Sequence, residues 1–243
     1  MKQNTSMTSK FMGIAVLAMM MTLLLGFAFI PAAVKAEEAP TTGSGQTTPA
    51  APAQFLTCEG KQAGNKINLK WGTVPGVTTY KVYGNYVGKA MKLLKVANVS
   101  TKGATIKKLN KKKLIKKKVF KFKILAYNTV DGKETLVIKS PVVYIAGSGH
   151  KKYTNAKTLK VASTNFNLQK GMTAKISPKL TRVSKKKDLL PLSCGPKISY
   201  FNTNKNVAEV GLDGTITAKE AGTSSIYVYT HNGKFKKVNV TVQ

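Results

Sequence analysis

Lysine is the residue type whose number and spacing in this sequence suggest a binding chemistry. Ten lysines fall between Lys107 and Lys123, and no acidic residue lies among them. Ammonium groups at this density attract polyanions through charge and through the release of counterions. Lysines also solubilise a protein and discourage edge strands from pairing between molecules. Two interpretations therefore stay open, a polyanion-binding patch and a solvated surface.

The alternation around these lysines predicts how some of them are oriented. Lys121 and Lys123 alternate with Phe120 and Phe122, and Lys81 follows Tyr80 in a similar run. Successive side chains of a strand point to opposite faces, so these lysines should lie on an outer face and join the others in one basic patch. The candidate polyanion-binding residues are Lys81, Lys107, Lys108, Lys111, Lys112, Lys113, Lys116, Lys117, Lys118, Lys121 and Lys123.

The overall charge favours a diffuse anionic partner. The chain has 40 Lys plus Arg against 9 Asp plus Glu, a formal charge of +31, and Arg182 is its only arginine. Base-specific recognition of nucleic acid relies on the planar arginine fork, whereas lysine is a hydrated point charge. We therefore expect an anionic cell-wall polymer or glycan surface as the partner, no specific nucleic acid, and a monomeric protein.

Catalytic chemistry is not expected. The chain has 2 histidines, His150 and His231, and both fall in predicted linker or turn positions. Asp131, Glu134 and Asp213 lie in or beside predicted hairpin turns, which aspartate itself favours. No glycine-rich phosphate loop or Cys-Xaa-Xaa-Cys pair is present. We predict a non-enzymatic protein with no cofactor and no metal site.

The N-terminal segment has the pattern of an export signal. Lysines precede an uncharged apolar run over 11–30, and Val34-Lys35-Ala36 offers small residues at the positions a signal peptidase reads. We predict a signal peptide over 1–36, with an uncleaved transmembrane anchor as the alternative. Residues 37–53 lack large apolar side chains and should form a flexible tether. The leader holds three lysines and no acid, so the mature chain would keep +28 of the +31.

The C-terminal part, 158–243, reads as short strands separated by turns. Asp213-Gly214 lies between two apolar runs that should pair across a hairpin. The runs Tyr200–Val210, 213–218 and Ala221-Gly222-Thr223 follow one another in the order of the group 2 bacterial immunoglobulin-like domain, which this part resembles. The resemblance implies a β-sandwich.

A second β pattern covers 54–147. Ile67, Leu69 and Trp71 alternate with polar residues, and Trp71 should be buried against Tyr80 and Phe122. With the Val-Pro-Gly-Val turn at 74–77, this part resembles the fibronectin type III fold. Phe120 stands where that family usually has a tyrosine. We predict an all-β protein of two tandem antiparallel sandwiches, joined by a linker over 148–157.

Three points are left open by the sequence. Cys58 and Cys194 are either two buried thiols or an inter-domain bridge. Residues 183–196 are longer than a minimal sandwich needs, and form either a strand pair or a surface insertion. A row of aromatics drawn from Tyr83, Tyr86, Tyr227 and Tyr229 on one face would favour sugar stacking.

Two functions fit these patterns. The first is an exported cell-surface or cell-wall-associated adhesion or binding protein, which would meet a membrane only if the leader is not cleaved. The alternative is a carbohydrate-recognition accessory or spacer protein that works with secreted polysaccharide-degrading enzymes.

The leader generates the first testable prediction. If the signal peptide is cleaved after Ala36, exported material should begin at Glu37. Intact-mass spectrometry of the exported protein measures this directly. A mass that still includes Met1 would support the transmembrane anchor instead.

Overall fold

The computed structural model describes residues 52–243, and within that range it is built from β-strands and turns, with one 3-10 helix at Leu192–Cys194 and no α-helix. The prediction of an all-β protein is confirmed. The predicted signal peptide, its cleavage site at Ala36 and nearly all of the predicted tether lie outside the described residues.

The first sandwich packs a three-stranded sheet, ordered β1-β2-β5, against a larger sheet ordered β10-β8-β3-β4, with β9 pairing along β8. Immunoglobulin-type sandwiches have a similar division of strands A, B and E from strands C, F and G. The strands are β1 (Cys58–Ala63), β2 (Lys66–Trp71), β3 (Thr79–Tyr86), β4 (Lys92–Asn98), β5 (Gly103–Ile106), β6 (Lys108–Leu109), β7 (Lys112–Lys113), β8 (Val119–Val130), β9 (Lys133–Lys139) and β10 (Val143–Ala146).

The core of the first sandwich follows the alternation in its sequence. Tyr80, Phe120 and Phe122 are fully buried, and each faces inward from a strand whose neighbouring residues face outward. Trp71 is buried with its ring centroid 5.8 Å from that of Tyr80, which confirms the predicted burial and the predicted contact with Tyr80. Burial of large aromatic side chains contributes much of the stability of such a core.

The second sandwich pairs its strands in four groups. A four-stranded sheet is ordered β13-β21-β20-β17, a three-stranded sheet is ordered β14-β19-β18, and β12 pairs with β15 and β11 with β16. The strands are β11 (Tyr153–Thr154), β12 (Ala156–Lys160), β13 (Asn165–Leu168), β14 (Thr173–Lys175), β15 (Lys179–Arg182), β16 (Asp188–Leu189), β17 (Ile198–Asn202), β18 (Ala208–Val210), β19 (Thr215–Ala218), β20 (Gly222–Thr230) and β21 (Phe235–Val242).

The predicted pairing across Asp213-Gly214 is confirmed. Strands β18 and β19 pair antiparallel, with Val210 opposite Ile216. Gly214 has φ +83°, a conformation that favours glycine. The Asp213 carboxylate accepts hydrogen bonds from the Thr215 backbone N–H and hydroxyl, at 3.0 and 2.7 Å, and so fixes the turn.

The sequence predicts one strand over 135–145 and one over 172–180, and both are interrupted. The apolar run over 135–145 divides into β9 and β10, and the run over 172–180 divides into β14 and β15. Pro141 lies in the first break and Pro178 in the second. Proline has no backbone N–H to donate to a neighbouring strand, which accounts for both interruptions.

The turn between β20 and β21 docks between the two sheets of the first sandwich. The Gly60 N–H of β1 donates to the Asn232 carbonyl at 2.9 Å, and the Tyr144 N–H of β10 donates to the His231 carbonyl at 2.7 Å. Strands β1 and β10 end their respective sheets. The turn therefore supplies hydrogen-bond acceptors to one edge strand of each sheet. His231, Asn232 and Gly233 are buried as a result.

Residues 183–196 complete this junction. Strand β16 pairs in parallel with β11, and the following residues bury Leu190 and Cys194 against Ala146 of the first sandwich. Residues 183–196 are therefore neither a strand pair nor a surface insertion, the two forms that the sequence left open. Because its burial depends on a partner from the other sandwich, the local sequence pattern could not reveal it.

Both cysteines are buried free thiols, as the first of the two interpretations predicted, and they form no bridge to each other. Cys58 belongs to the core of the first sandwich and Cys194 to the junction. Burial raises the pKa of the Cys58 thiol to about 12, with Ser140 opposing the shift through a hydrogen bond. The Cys58 thiol is therefore protonated and unreactive at neutral pH.

The junction generates a prediction about pH. The Nε2 atom of His231 lies 3.2 Å from the Leu190 carbonyl, and its Nδ1 is buried with no hydrogen-bond partner among residues 52–243. Burial lowers the pKa of His231, the hydrogen bond with the Leu190 carbonyl opposes that shift in part, and nearby Lys197 lowers the pKa further. Because the unfolded chain binds the proton more readily, stability should be full above pH 6.5 and decline as the pH falls toward the lower folded pKa.

Urea unfolding between pH 7.5 and pH 5 measures this decline. His231→Gln keeps a donor near the Leu190 carbonyl and has no titrating group, so its decline should be smaller. Burial also lowers the pKa of His150, which leaves a residual slope. Equal slopes in the parent and His231→Gln would contradict the prediction.

Candidate polyanion-binding surface

Three of the candidate lysines lie on the outer face of the larger sheet of the first sandwich. Lys81, Lys121 and Lys123 are half-buried, and each alternates with fully buried neighbours. Lys81 forms an ion pair with Glu134, which raises the pKa of Lys81, and its ammonium lies 4.7 Å from the centroid of the Tyr127 ring. Lys81 is therefore already partly neutralised, whereas Lys121 and Lys123 have no ion pair within the described residues.

A short hairpin presents a second group of lysines. Strands β6 and β7 pair antiparallel, with Leu109 opposite Lys112, and Leu109 is buried. The turn residues Asn110 and Lys111 have φ +52° and +64°. Two-residue turns of this kind prefer glycine at the second position, so Lys111 occupies a conformation unfavourable for its side chain. The exposed lysines of this region are Lys107, Lys108, Lys111, Lys112 and Lys113.

A third group, Lys116, Lys117 and Lys118, lies in the loop before β8 and is exposed. The Ile115 N–H donates to the Tyr86 hydroxyl at 2.9 Å, and the Lys118 ammonium lies 5.9 Å from the centroid of the Tyr86 ring. Tyr86, the tyrosine that holds this loop, comes from β3.

The candidate lysines thus occupy three places rather than one flat patch. Sequence reasoning also missed other exposed lysines on the same sandwich, among them Lys66, Lys70, Lys95 and Lys102. They are dispersed along the chain and do not form a run. Lys66 and Lys70 do lie at alternating positions with buried Ile67 and Leu69, and this alternation was the available signal.

Most acidic side chains of residues 52–243 already have a cationic partner. Six carboxylates form ion pairs, and none of those pairs uses a lysine from 107–123. The paired acids are Glu59, Glu134, Asp188, Glu209, Asp213 and Glu220. The three lysine groups therefore keep nearly all of their charge for an external partner.

The aromatic residues do not form one open row. Tyr86 packs against the core of the first sandwich, while Tyr83 is half-buried on its outer side. Tyr227 and Tyr229 share a face of the second sandwich, but Phe55 lies over them, with ring centroids 4.6 and 5.3 Å away. A sugar ring could reach these two tyrosines only by displacing Phe55.

Within residues 52–243, no group of three or more His, Cys, Asp or Glu side chains is placed to hold a metal ion. The same range contains no helix of the length and hydrophobicity that crossing a membrane requires.

Comparisons with known proteins give distant structural likenesses. No protein family matches the sequence, and no curated protein is significantly similar to it. Pectate lyase Pel3 from Pectobacterium carotovorum is 13% identical over 50% of this chain and 39% of its own, with a TM-score of 0.33. The FN1–FN3 domains of chicken CNTN1 are 12% identical over 80% and 67%, with a TM-score of 0.27.

A C-terminal fragment of intimin, solved in complex with the intimin-binding domain of Tir, is 13% identical over 78% of this chain and 65% of that one, with a TM-score of 0.25. The chain spans less than half the length of the pectate lyases that it matches. At these TM-scores the structural likenesses support no conclusion about this chain. Its fold is established by the strand pairing alone.

The conformation of Lys111 generates a prediction. Lys111→Gly should stabilise the protein by about 0.5–1 kcal/mol, since glycine adopts the positive φ without strain and one repelling charge is lost. Lys112→Gly removes the same charge from β7, where glycine is unfavourable, and should destabilise by a similar amount. Free energies of unfolding in urea measure both. A destabilised Lys111→Gly variant would show that the turn does not strain this lysine.

Proposed function

We propose that this chain is an exported, non-enzymatic binding protein of the bacterial cell surface that attaches to an anionic wall polymer or glycan through the lysines of its first sandwich. The observation that carries the proposal is the run over 107–123, whose ten lysines form no ion pair with the acids of residues 52–243. Like charges this dense repel one another and destabilise the fold unless an anionic partner is usually present.

The strain at Lys111 supports the same proposal. A lysine in a left-handed turn, next to Lys112 and Lys113, has an unfavourable backbone conformation and unfavourable charge repulsion at one position. Residues held in unfavourable conformations cluster at functional sites. Leu109 and Tyr86 anchor the hairpin and the following loop, so the lysines are held in place rather than left on a loose segment.

The family assignments belong to this proposal as well. We infer that the second sandwich is a group 2 bacterial immunoglobulin-like domain and the first a fibronectin type III-like domain. The support is the order of motifs in 200–223 and the division of strands between the two sheets of the first sandwich. Such modules serve as spacers and adhesive units on bacterial surfaces, which fits a protein with an export signal.

A salt titration tests the proposed function. The mature protein is bound to isolated bacterial cell wall at several salt concentrations. Each engaged lysine should add close to one unit to the slope of log affinity against log salt, because binding releases counterions. Substitution of Lys111, Lys112, Lys116 and Lys117 by Gln should flatten that slope by roughly three to four units.

The matched control removes four exposed lysines from the second sandwich, Lys160, Lys179, Lys205 and Lys236. This variant should keep most of the slope. Without ligand, the first variant should be slightly more stable than the parent at low salt and equal to it near 1 M, where screening shortens the Debye length to about 3 Å. Binding that ignores salt, or equal binding by the parent and the first variant, would contradict the proposal.

A further inference from the structure

We propose that the outer face of the β1-β2-β5 sheet is a binding track for a linear phosphodiester polymer. This inference deepens the proposed function, on which it rests, by assigning a second set of lysines and a class of polymer. The track consists of Lys66, Lys70, Lys95, Lys102, Lys107, Lys108 and Lys113.

The first part of the track is an open groove of about 830 Å³. Lys66 and Lys70 come from β2, Lys95 from β4, and Lys102 from the residue before β5. All four are exposed, and none has an ion-pair partner within the described residues. Lys66 and Lys70 lie on the same face of one strand, about 13 Å apart along it. The groove can therefore hold several charged groups of an extended chain.

The floor of this groove is low and polar. Gly103 has no side chain, the Ala104 side chain is buried, and the hydroxyl of exposed Thr105 donates to the Asn68 side-chain carbonyl at 3.1 Å. A Cβ atom at Gly103 would lie 2.8 Å from the Leu69 carbonyl oxygen, so a side chain is not tolerated there. Small residues let a ligand approach the sheet closely while the long lysine side chains reach it from the sides.

A second groove of about 560 Å³ continues the track. It is lined by the turn between β1 and β2 together with Lys107, Lys108 and Lys113, and it shares Lys66 with the first groove. No aspartate or glutamate lines either groove. A surface lined by charges of one sign concentrates counterions. The two grooves together therefore attract a polyanion along their whole length.

The track lies away from the junction. The backbone hydrogen bonds to the β20–β21 turn use Gly60 of β1 and Tyr144 of β10, whereas the lysines of the track lie on β2 and β4, directly before β5 and around the β6–β7 hairpin. The second sandwich therefore leaves these lysines accessible, and a long polymer could extend past both ends of the groove.

The residue types fit a phosphate polymer that carries no bases. The arginine fork suits carboxylate and phosphate alike, whereas lysine binds phosphate oxygens as a point charge from several directions. No arginine and no aromatic residue lines either groove. Single-stranded nucleic acids gain much of their affinity by stacking bases on aromatic side chains. The track thus fits a phosphodiester or phosphoanhydride backbone that carries no bases.

The test compares two four-lysine variants of the mature protein. The groove variant carries Lys66→Gln, Lys70→Gln, Lys95→Gln and Lys102→Gln, and the hairpin variant is the one at Lys111, Lys112, Lys116 and Lys117. With inorganic polyphosphate as probe at 0.1 M salt, each engaged lysine contributes roughly eightfold, so the groove variant should lose on the order of 10³-fold in affinity. The control variant, which lacks Lys160, Lys179, Lys205 and Lys236 of the second sandwich, should lose less than tenfold in affinity.

The two proposals fail separately. If the hairpin variant loses affinity and the groove variant does not, the track is wrong and the proposed function stands. If the groove variant alone loses affinity, the track holds and the hairpin is not the site. If neither variant loses affinity, both proposals are wrong.

Polygalacturonate and a single-stranded oligothymidylate of equal charge should bind more weakly than polyphosphate, and equal or tighter binding of either would overturn the assignment to a base-free phosphate polymer.

A charge reversal within the groove gives an independent check. Thr105→Glu places a carboxylate on the exposed floor of the groove. The control, Thr181→Glu, places one on the second sandwich, at an exposed threonine that likewise forms a hydrogen bond with a side chain on the neighbouring strand, Thr158. Polyphosphate affinity should fall at least tenfold for Thr105→Glu and less than twofold for Thr181→Glu. Circular dichroism and urea unfolding confirm that both variants fold, and equal affinities in folded variants would contradict the track.

Discussion

The structure depends on the contact between the β20–β21 turn and the two open sheet edges of the first sandwich. Each sheet contributes one backbone N–H, from Gly60 and Tyr144, and the turn contributes the two acceptors. Unpaired edges invite association with other chains, and a turn from the same chain covers both at once. The Glu59–Lys234 ion pair, at 2.6 Å, and the burial of Leu190 and Cys194 reinforce this contact. The position of this turn determines which edges of the first sandwich the second one covers.

Charge and packing are separated in this protein. The side of the first sandwich that meets the second carries Glu59 and the apolar residues of the junction, while unpaired lysines lie on β2, directly before β5, on the β6–β7 hairpin and on the outer face of β8. Lysine carries its charge on a long flexible stem, so a dense set of lysines can spread out in solution and converge on a polyanion. This separation lets one chain maintain a well-packed junction although its net charge is far from zero.

The local patterns in the sequence predicted the strands well where one face is buried against the same sandwich. Tyr80, Phe120 and Phe122 on the inside and Lys81, Lys121 and Lys123 on the outside follow from period-two alternation alone. The pairing of β18 with β19 follows from Asp213-Gly214. The patterns failed where burial comes from elsewhere in the chain. The turn at His231 looks like a solvent-exposed hairpin tip, and Leu190 looks like part of a loop, because nothing local encodes the sandwich that covers them.

The sequence identified the candidate lysines as a run, but it could not show which of them lie together on the surface. Lys121 lies on β8 of the larger sheet, whereas Lys107 directly follows β5 of the three-stranded sheet, and a groove lined by both Lys66 and Lys107 brings those two together. Proximity in sequence is a weak guide to proximity on a sandwich, in which neighbouring strands of one sheet come from distant parts of the chain.

Gly233 shows what this arrangement means for the evolution of the chain. It has φ +81°, and a Cβ atom there would lie 1.7 Å from the Cys58 carbonyl oxygen. Sandwich domains are often exchanged between proteins as independent cassettes, which requires that each keep its own surface. Here neither sandwich is interchangeable, because moving the second would expose a turn shaped to one neighbour and leave two bare edges on the first. The two sandwiches therefore form one structural unit.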